Sequence, residues 1–462
     1  MSHQVDRRAT RTSPYSWLAL IIAAGLVLRC ALVPLYAHLT RDLFDETLWK
    51  TWMQAIHQHG VLNVFRTTDT NYIGLHWILW VLAWVYAPSG EAYSRTAPWL
   101  HTLVKIPSLL FDVILIWTVY EATHFIATKH DPERLRFISQ QRARSLALAA
   151  AAVIAFQPAV IYDSAVWAQS DAAISAAILG SMLLVARGRI GAGYVAWTLG
   201  FLLKPQPVVV LPVLLLLTLR AGGWRAILRA VVATLLTGAV VLGPWLLHGD
   251  GRRILHVYHT LFFEDGLLLS GSAWNFWWLW PQHTTPLKDL AGADAFRTAG
   301  MLLSAASGAV GMLYCWRRPG LAPALVSAAY LTFAFYLWPV ATHERYLYPL
   351  LALLLPPLML DRRWLWVYAP LSAMLFANMF CAAPPVASMA ERLIQQPEAR
   401  IAAVFNIVAF FGFTLVMLRS AVPKPVHPLL RLGHDGAIRV AAPTRARASL
   451  MSHRRSEPAA RE

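Results

Sequence analysis

The stretch "WPVATHERYLYP", residues 338 to 349, places an imidazole, a carboxylate and a guanidinium side by side between two apolar runs. An ionisable side chain at bilayer depth costs a few kcal/mol unless it is paired or wet, so three in succession read first as a functional site. Arg345 and His343 offer charge-assisted hydrogen bonds to a phosphate, and Glu344 can orient Arg345 or touch a substrate. A carboxylate across the same cavity, Asp45, is placed to take a proton from an acceptor hydroxyl. The competing reading of His343-Glu344-Arg345 is a structural salt bridge between two spans.

Such chemistry needs a membrane scaffold, and the composition supplies one. Of 462 residues, 57% are hydrophobic and 14% charged, with a mean hydropathy of +0.49. Apolar stretches of roughly 17 to 25 residues recur from Tyr15 to Leu418, each long enough to cross about 30 Å of hydrocarbon as a helix. The sequence therefore predicts an all-α polytopic membrane protein, a bundle of about 11 to 13 transmembrane helices with an amphipathic first outer loop. The net charge of +16 is spread over short loops and the two ends, at Arg7/Arg8/Arg11, Arg187/Arg189, Arg220/Arg225/Arg229, Arg317/Arg318 and Arg362/Arg363. That distribution orients a chain with its N-terminus in the cytoplasm and argues against nucleic acid as a partner. Cys30, Cys315 and Cys381 are scattered, which disfavours a disulfide framework or metal cluster.

Residues 1–15 read as a cytoplasmic tail, 16–419 as the membrane domain and 420–462 as a disordered basic tail. The first span, about 16–37, leads to an outer loop over 38–70, and later spans follow near 101–127, 145–162, 170–186, 230–247, 296–316, 321–340, 346–360, 364–382 and 401–418. The stretch 190–219 is too long for one span and is interrupted at Lys204-Pro205-Gln206-Pro207, so it reads as two short helices. Whether 72–87 crosses stays open, because a full crossing puts the basic loop Lys129 to Arg144 outside.

With this orientation, polar residues gather on one side. Asp42, Asp45 and Glu46 follow the first span; Asp163, Gln169 and Asp171 lie in "YDSAVWAQSD"; Lys204 and Gln206 sit at the hairpin tip; Asn275 lies in the aromatic part of an outer loop over 248–295. Each has a bland reading: a loop carboxylate is solvated, a membrane-edge tryptophan is an anchor, and Lys204 snorkels. Together they suit a substrate that is half lipid and half sugar phosphate.

The chain resembles bacterial and archaeal relatives of the GPI mannosyltransferases, in the C superfamily of membrane glycosyltransferases that use polyprenyl-phosphate sugars. The resemblance begins at "DETLWKTWMQAIHQHG", with Asp45, Trp49, Trp52 and Gly60 in the family's places. It continues through "KIPSLLFD" (Lys105, Pro107, Asp112), "WAQSD" (Trp167, Gln169, Asp171), "LLKPQP" (Lys204, Gln206), "SAWNFWWLW" (Asn275, Trp277) and "THERYLYP" (His343 to Tyr346). Three places depart from it: Ala168 stands for glycine, Thr342 for methionine, and Asn71-Tyr72-Ile73-Gly74 for Asp-Tyr-Pro-Pro.

The resemblance implies an inverting transfer of a hexose, by analogy mannose, from a polyprenyl-phosphate donor. The acceptor it implies is a lipid-linked glycan, a glycolipid or a protein on the exterior face of a bacterial inner membrane. Asp45 or Asp42 is then the base; His343, Glu344, Arg345, Lys204 and Gln206 hold the donor phosphate and sugar; Gln169, Asp171, Asn275, Trp167 and Tyr346 line the substrate. No bound cofactor is needed beyond the donor lipid, and a divalent metal is left open. The alternative from another class is a transporter or flippase for a lipid-linked or polar solute.

Overall fold

The structure, a computed structural model, describes residues 14–37, 44–70, 72–94, 97–129, 138–261, 268–385 and 398–421. Asp42, Asn71 and the basic tail therefore lie outside the described residues. In chain order the main helices are α1 (Pro14–Ala37), α2 (Phe44–His59), α3 (Leu75–Tyr86), α4 (Pro98–Lys129), α5 (Gln140–Ala155) and α6 (Pro158–Ile161). Then come α7 (Asp171–Ala186), α8 (Ile190–Leu203), α9 (Leu211–Leu247), α10 (Gly251–His259) and α11 (Ala293–Arg317). The last four are α12 (Leu321–Leu337), α13 (Pro349–Leu360), α14 (Leu365–Ala382) and α15 (Glu398–Ala421). No strand occurs among the described residues.

Six of these helices are long and apolar enough to cross a membrane, or seven if α5 and the following bent segment Pro158–Val166 count as one span. The protein is thus an all-α polytopic membrane protein. Four shorter apolar helices, Leu75–Ser89, Asp171–Ala186, Ile190–Leu203 and Leu321–Leu337, lie among them. At 1.5 Å rise per residue, α3 reaches only about 18 Å, well short of the hydrocarbon depth. The expected 11 to 13 crossings include helices that, straight and alone, stop short of that depth.

The breaks have local causes. α8 ends at Leu203 and the chain runs extended through Lys204 (φ −149°, ψ 142°) before Pro205 and a 3-10 turn at Gln206–Val210. α9 is two helices meeting at Gly222 and Gly223, and Gly223 holds φ +62°, ψ −153°, which only glycine takes cheaply. Gly74 lies against α8: its N–H donates to Leu202 O at 2.7 Å, and a Cβ there would meet that oxygen at 2.9 Å. Tyr72, two residues before Gly74, lies with its ring 5.4 Å from Lys204 Nζ.

α12 and α13 form the centre of the bundle, with nearly every side chain buried. The ionic triplet is in the connection between these two best-packed helices, so its backbone is held from both ends. Arg29 of α1, fully buried, donates Nε to Asp112 Oδ2 at 2.5 Å and Nη1 to Ala155 O at 2.7 Å. Ser164 Oγ donates to the same Asp112 oxygen at 2.5 Å. This pair locks α1, α4 and α5 together, the arrangement a buried charge requires.

Candidate functional site

Breaks in helix geometry deliver the site. Pro158 cannot continue the helix of α5, and Gln157 caps the restart by accepting from Ala159 N–H at 3.3 Å. A π-helical turn over Tyr162–Val166 follows, and then Ala168 adopts φ +61° so that the chain turns sharply into α7. Asp171 opens α7, where a carboxylate meets the positive end of the helix. Ala168 has company. The only described non-glycine residues at positive φ are Ala168, Ser272 and Ala341, and all three border this site. Strained backbone concentrated in one place is a mark of a functional centre.

Arg345 is the hub. It is buried, its Nη1 donates to Glu344 Oε1 at 2.8 Å, and its guanidinium lies 5.1 Å over the Trp167 ring. Its Nη2 is 3.6 Å from Asp45 Oδ2, and its Nε is 3.7 Å from Asp171 Oδ2. Lys204 Nζ donates to Asp171 Oδ2 at 2.9 Å and to Gln169 Oε1 at 3.3 Å, and Gln169 Nε2 donates to Asp45 Oδ2 at 2.8 Å. Asp45, Gln169, Asp171, Lys204, Glu344, Arg345 and Trp167 therefore form one connected centre drawn from four separate stretches of chain. Its two contacts at 3.6 and 3.7 Å are Coulombic and lie outside hydrogen-bond range, so an incoming anion can compete for that edge of Arg345.

The remaining sequence candidates surround this centre in different ways. His343 is a third exposed, sits 4.0 Å from Glu344 Oε2, and meets the Tyr346 ring edge-on at 5.4 Å. Tyr346 stacks on Phe335 at 5.4 Å. Asn275 donates to Thr342 Oγ1 at 2.6 Å and Pro339 O at 3.3 Å and accepts from Trp277 N–H, so its amide holds the aromatic loop against the triplet. Gln206 Oε1 is buried without a hydrogen-bond partner. Among the described residues, no group of three or more His, Cys, Asp or Glu side chains is arranged to hold a metal ion.

Electrostatics redistributes the expected roles. Burial of the ring and the Arg345 charge push the His343 imidazole below its ordinary value of 6.5. Arg345 and Lys204 are the cations of the centre. Burial disfavours the charge on Lys204, but Asp171 beside it outweighs this and holds the ammonium above its ordinary value. On α2, burial works against an ionised Glu46, but the His101 hydrogen bond and the charges of His101, Lys50 and Lys105 outweigh it and depress its value.

Both the His343 and Glu46 shifts make the folded state bind fewer protons than the unfolded one, so stability is gained as pH rises. Their contributions are complete above 6.5 and 4.5 respectively and are lost as pH falls below each. Each of these two contributions, taken by itself, lowers the thermal midpoint on acidification, that of His343 below pH 6.5 and that of Glu46 below pH 4.5. His343→Gln is expected to remove the step below pH 6.5 and leave the lower one, as scanning fluorimetry across pH checks.

Sequence reasoning did not select several participants. Tyr72, with its ring 5.4 Å from Lys204 Nζ, belongs to the segment singled out only as a departure. Ser272 donates to Glu344 Oε2 at 2.5 Å from a loop read as aromatic anchoring. Glu46, already grouped with Asp42 and Asp45 in the sequence, takes Lys50 at 2.6 Å and His101 at 2.5 Å as partners apart from the Arg345 centre, and the Glu46/Lys50 spacing of four on α2 fits that pair.

Helices and site together define a multi-pass membrane protein with a buried ionic centre at the junction of its best-packed helices. No protein-family model matches the chain, and no curated protein matches it.

Proposed function

We propose that the protein is an integral membrane glycosyltransferase. It transfers a hexose, by resemblance mannose, from a polyprenyl-phosphate donor to a lipid-linked glycan, glycolipid or protein acceptor, with inversion. The observation that carries this reading is the 3.6 Å approach of Asp45 to Arg345, with Gln169 and Lys204 closing the circuit. Two features distant in sequence, a candidate base and a phosphate-binding cation, then act on one headgroup.

In the reaction, Asp45 takes the acceptor hydroxyl's proton while that oxygen bonds to the anomeric carbon. The bond from that carbon to the phosphate oxygen breaks, and its electron pair leaves with the lipid phosphate. Arg345 and Lys204 stabilise the charge that gathers there, in surroundings where such contacts are strong. The loose Arg345–Asp45 pair fits this sequence, since a phosphate drawing on Arg345 frees Asp45 for the acceptor. The resemblance and the arginine distribution support a bacterial inner membrane and a cytoplasmic N-terminus.

The test is transfer of radiolabelled hexose from a short-chain polyprenyl phosphate to a lipid acceptor by purified protein in detergent. Transfer with inverted anomeric configuration is expected. Movement of the intact labelled lipid across reconstituted vesicles, with no transfer in detergent, would mark a flippase instead.

A further inference from the structure

Asp163 occupies the π turn beside the site, is fully buried, and has no hydrogen-bond partner for either carboxyl oxygen. Buried polar atoms are nearly always satisfied, and one carboxyl with two open oxygens needs a reason. The charged groups acting on it are Asp171, Lys204, Asp112 and Arg345, and its backbone carbonyl accepts from the N–H of Gln169 at 2.9 Å. The Tyr348 hydroxyl, also without a partner, faces the same carboxylates.

The unmet atoms have a chemical sense. Asp163 Oδ1 and Oδ2, Asp171 Oδ1 and Gln206 Oε1 are unmet oxygens, and beside them Arg345 Nε and the Tyr348 hydroxyl are unmet donors. A ligand that completes such a set brings several hydroxyls, each able to donate and to accept, next to an anion that Arg345 and Lys204 can hold. Water brings donors singly; a hexose brings them in fixed stereochemistry and arrives on a phosphate. A phosphate that pulls Arg345 from Asp171, which it meets only at 3.7 Å, opens the side of the centre nearest Asp163.

We propose that Asp163 is a specificity residue whose carboxyl group hydrogen-bonds to hydroxyls of the transferred sugar. This rests on the glycosyltransferase reading and adds the group that distinguishes one hexose from another. A buried site built to meet hydroxyls discriminates strongly against ligands lacking them, because its own atoms are otherwise left unpaired.

The experiment measures equilibrium binding of the full-length protein in nanodiscs to short-chain polyprenyl phosphate and to its mannosyl and glucosyl phosphodiesters. Wild type is expected to favour one sugar-bearing lipid over the bare phosphate by about 10- to 100-fold. Asp163→Asn, which keeps volume and loses no hydrogen bond seen in the structure, is expected to erase that preference and bind the bare lipid within about twofold of wild type. A variant that retains the preference overturns the proposal, as does a wild type that binds all three probes alike. Wild type binding none of them overturns the glycosyltransferase reading itself, and the proposal with it. A second arm needs no variant. Deoxy analogues of the preferred sugar are offered to wild type, and if no single hydroxyl deletion weakens binding, Asp163 does not read the sugar.

Discussion

Asp45→Asn is expected to lower the transfer rate by about 10²- to 10⁴-fold, the usual contribution of a positioned general base, with the fold intact. Asparagine fills the same volume and can still accept the Gln169 hydrogen bond, 2.8 Å long in the wild-type arrangement. The ion pair it gives up is long, 3.6 Å, and Arg345 keeps its 2.8 Å bond to Glu344, so no guanidinium is left unpaired. What disappears is the ability to take a proton. Single-turnover transfer from a labelled donor lipid, together with a thermal midpoint, separates the two effects. A variant within about threefold of wild type assigns the base elsewhere, and Asp42, three residues earlier, becomes the residue to substitute. A variant that loses donor-lipid binding along with turnover gives Asp45 a binding role instead.

The polytopic helical class was legible because hydropathy acts over whole segments, and no packing detail changes the need to satisfy backbone polar groups in lipid. The break at Lys204-Pro205 was legible for the same local reason, since proline removes a donor wherever it falls. Arg345 and Asp45 could be named as chemically suggestive, but their approach depends on how α2 docks beside the connection of α12 and α13, and no periodicity encodes that docking. Arg29 shows the limit most sharply. In the sequence it was a charge beside Cys30; in the fold it is half of a lock whose partner, Asp112, lies 83 residues away. His343 shows another limit. Its identity suggested a cation, whereas its charge state follows from burial and from the adjacent arginine, both tertiary facts. The left-handed turn at Ala168 was visible only as an alanine in a place where glycine is usual, and the positive φ supplies the physical reason.

Arg345→Gln is expected to be the most damaging single change at the site, because one guanidinium faces three carboxylates. Removing it leaves Glu344 with Ser272, Asp171 with Lys204 and Asp45 with Gln169. Each acid keeps one neighbour, yet three negative charges then share a buried volume with a single ammonium. Breaking a buried pair by deleting one partner costs about 3–5 kcal/mol, and the lost stacking on Trp167 adds to it. The thermal midpoint in detergent is expected to fall by several degrees and transfer to be undetectable. Arg345→Lys separates charge from shape. An ammonium restores a positive charge but cannot reach Glu344 and two more acids while lying flat on an indole, so partial stability with little activity is expected. The sign of the pH response identifies the cause. Wild type loses stability on acidification through His343 and Glu46. In Arg345→Gln, protonating any of the three acids relieves repulsion, so the folded state gains protons and the gap to wild type narrows as pH falls. A gap that stays constant across pH assigns the loss to packing and removes Arg345 from its place as the electrostatic hub.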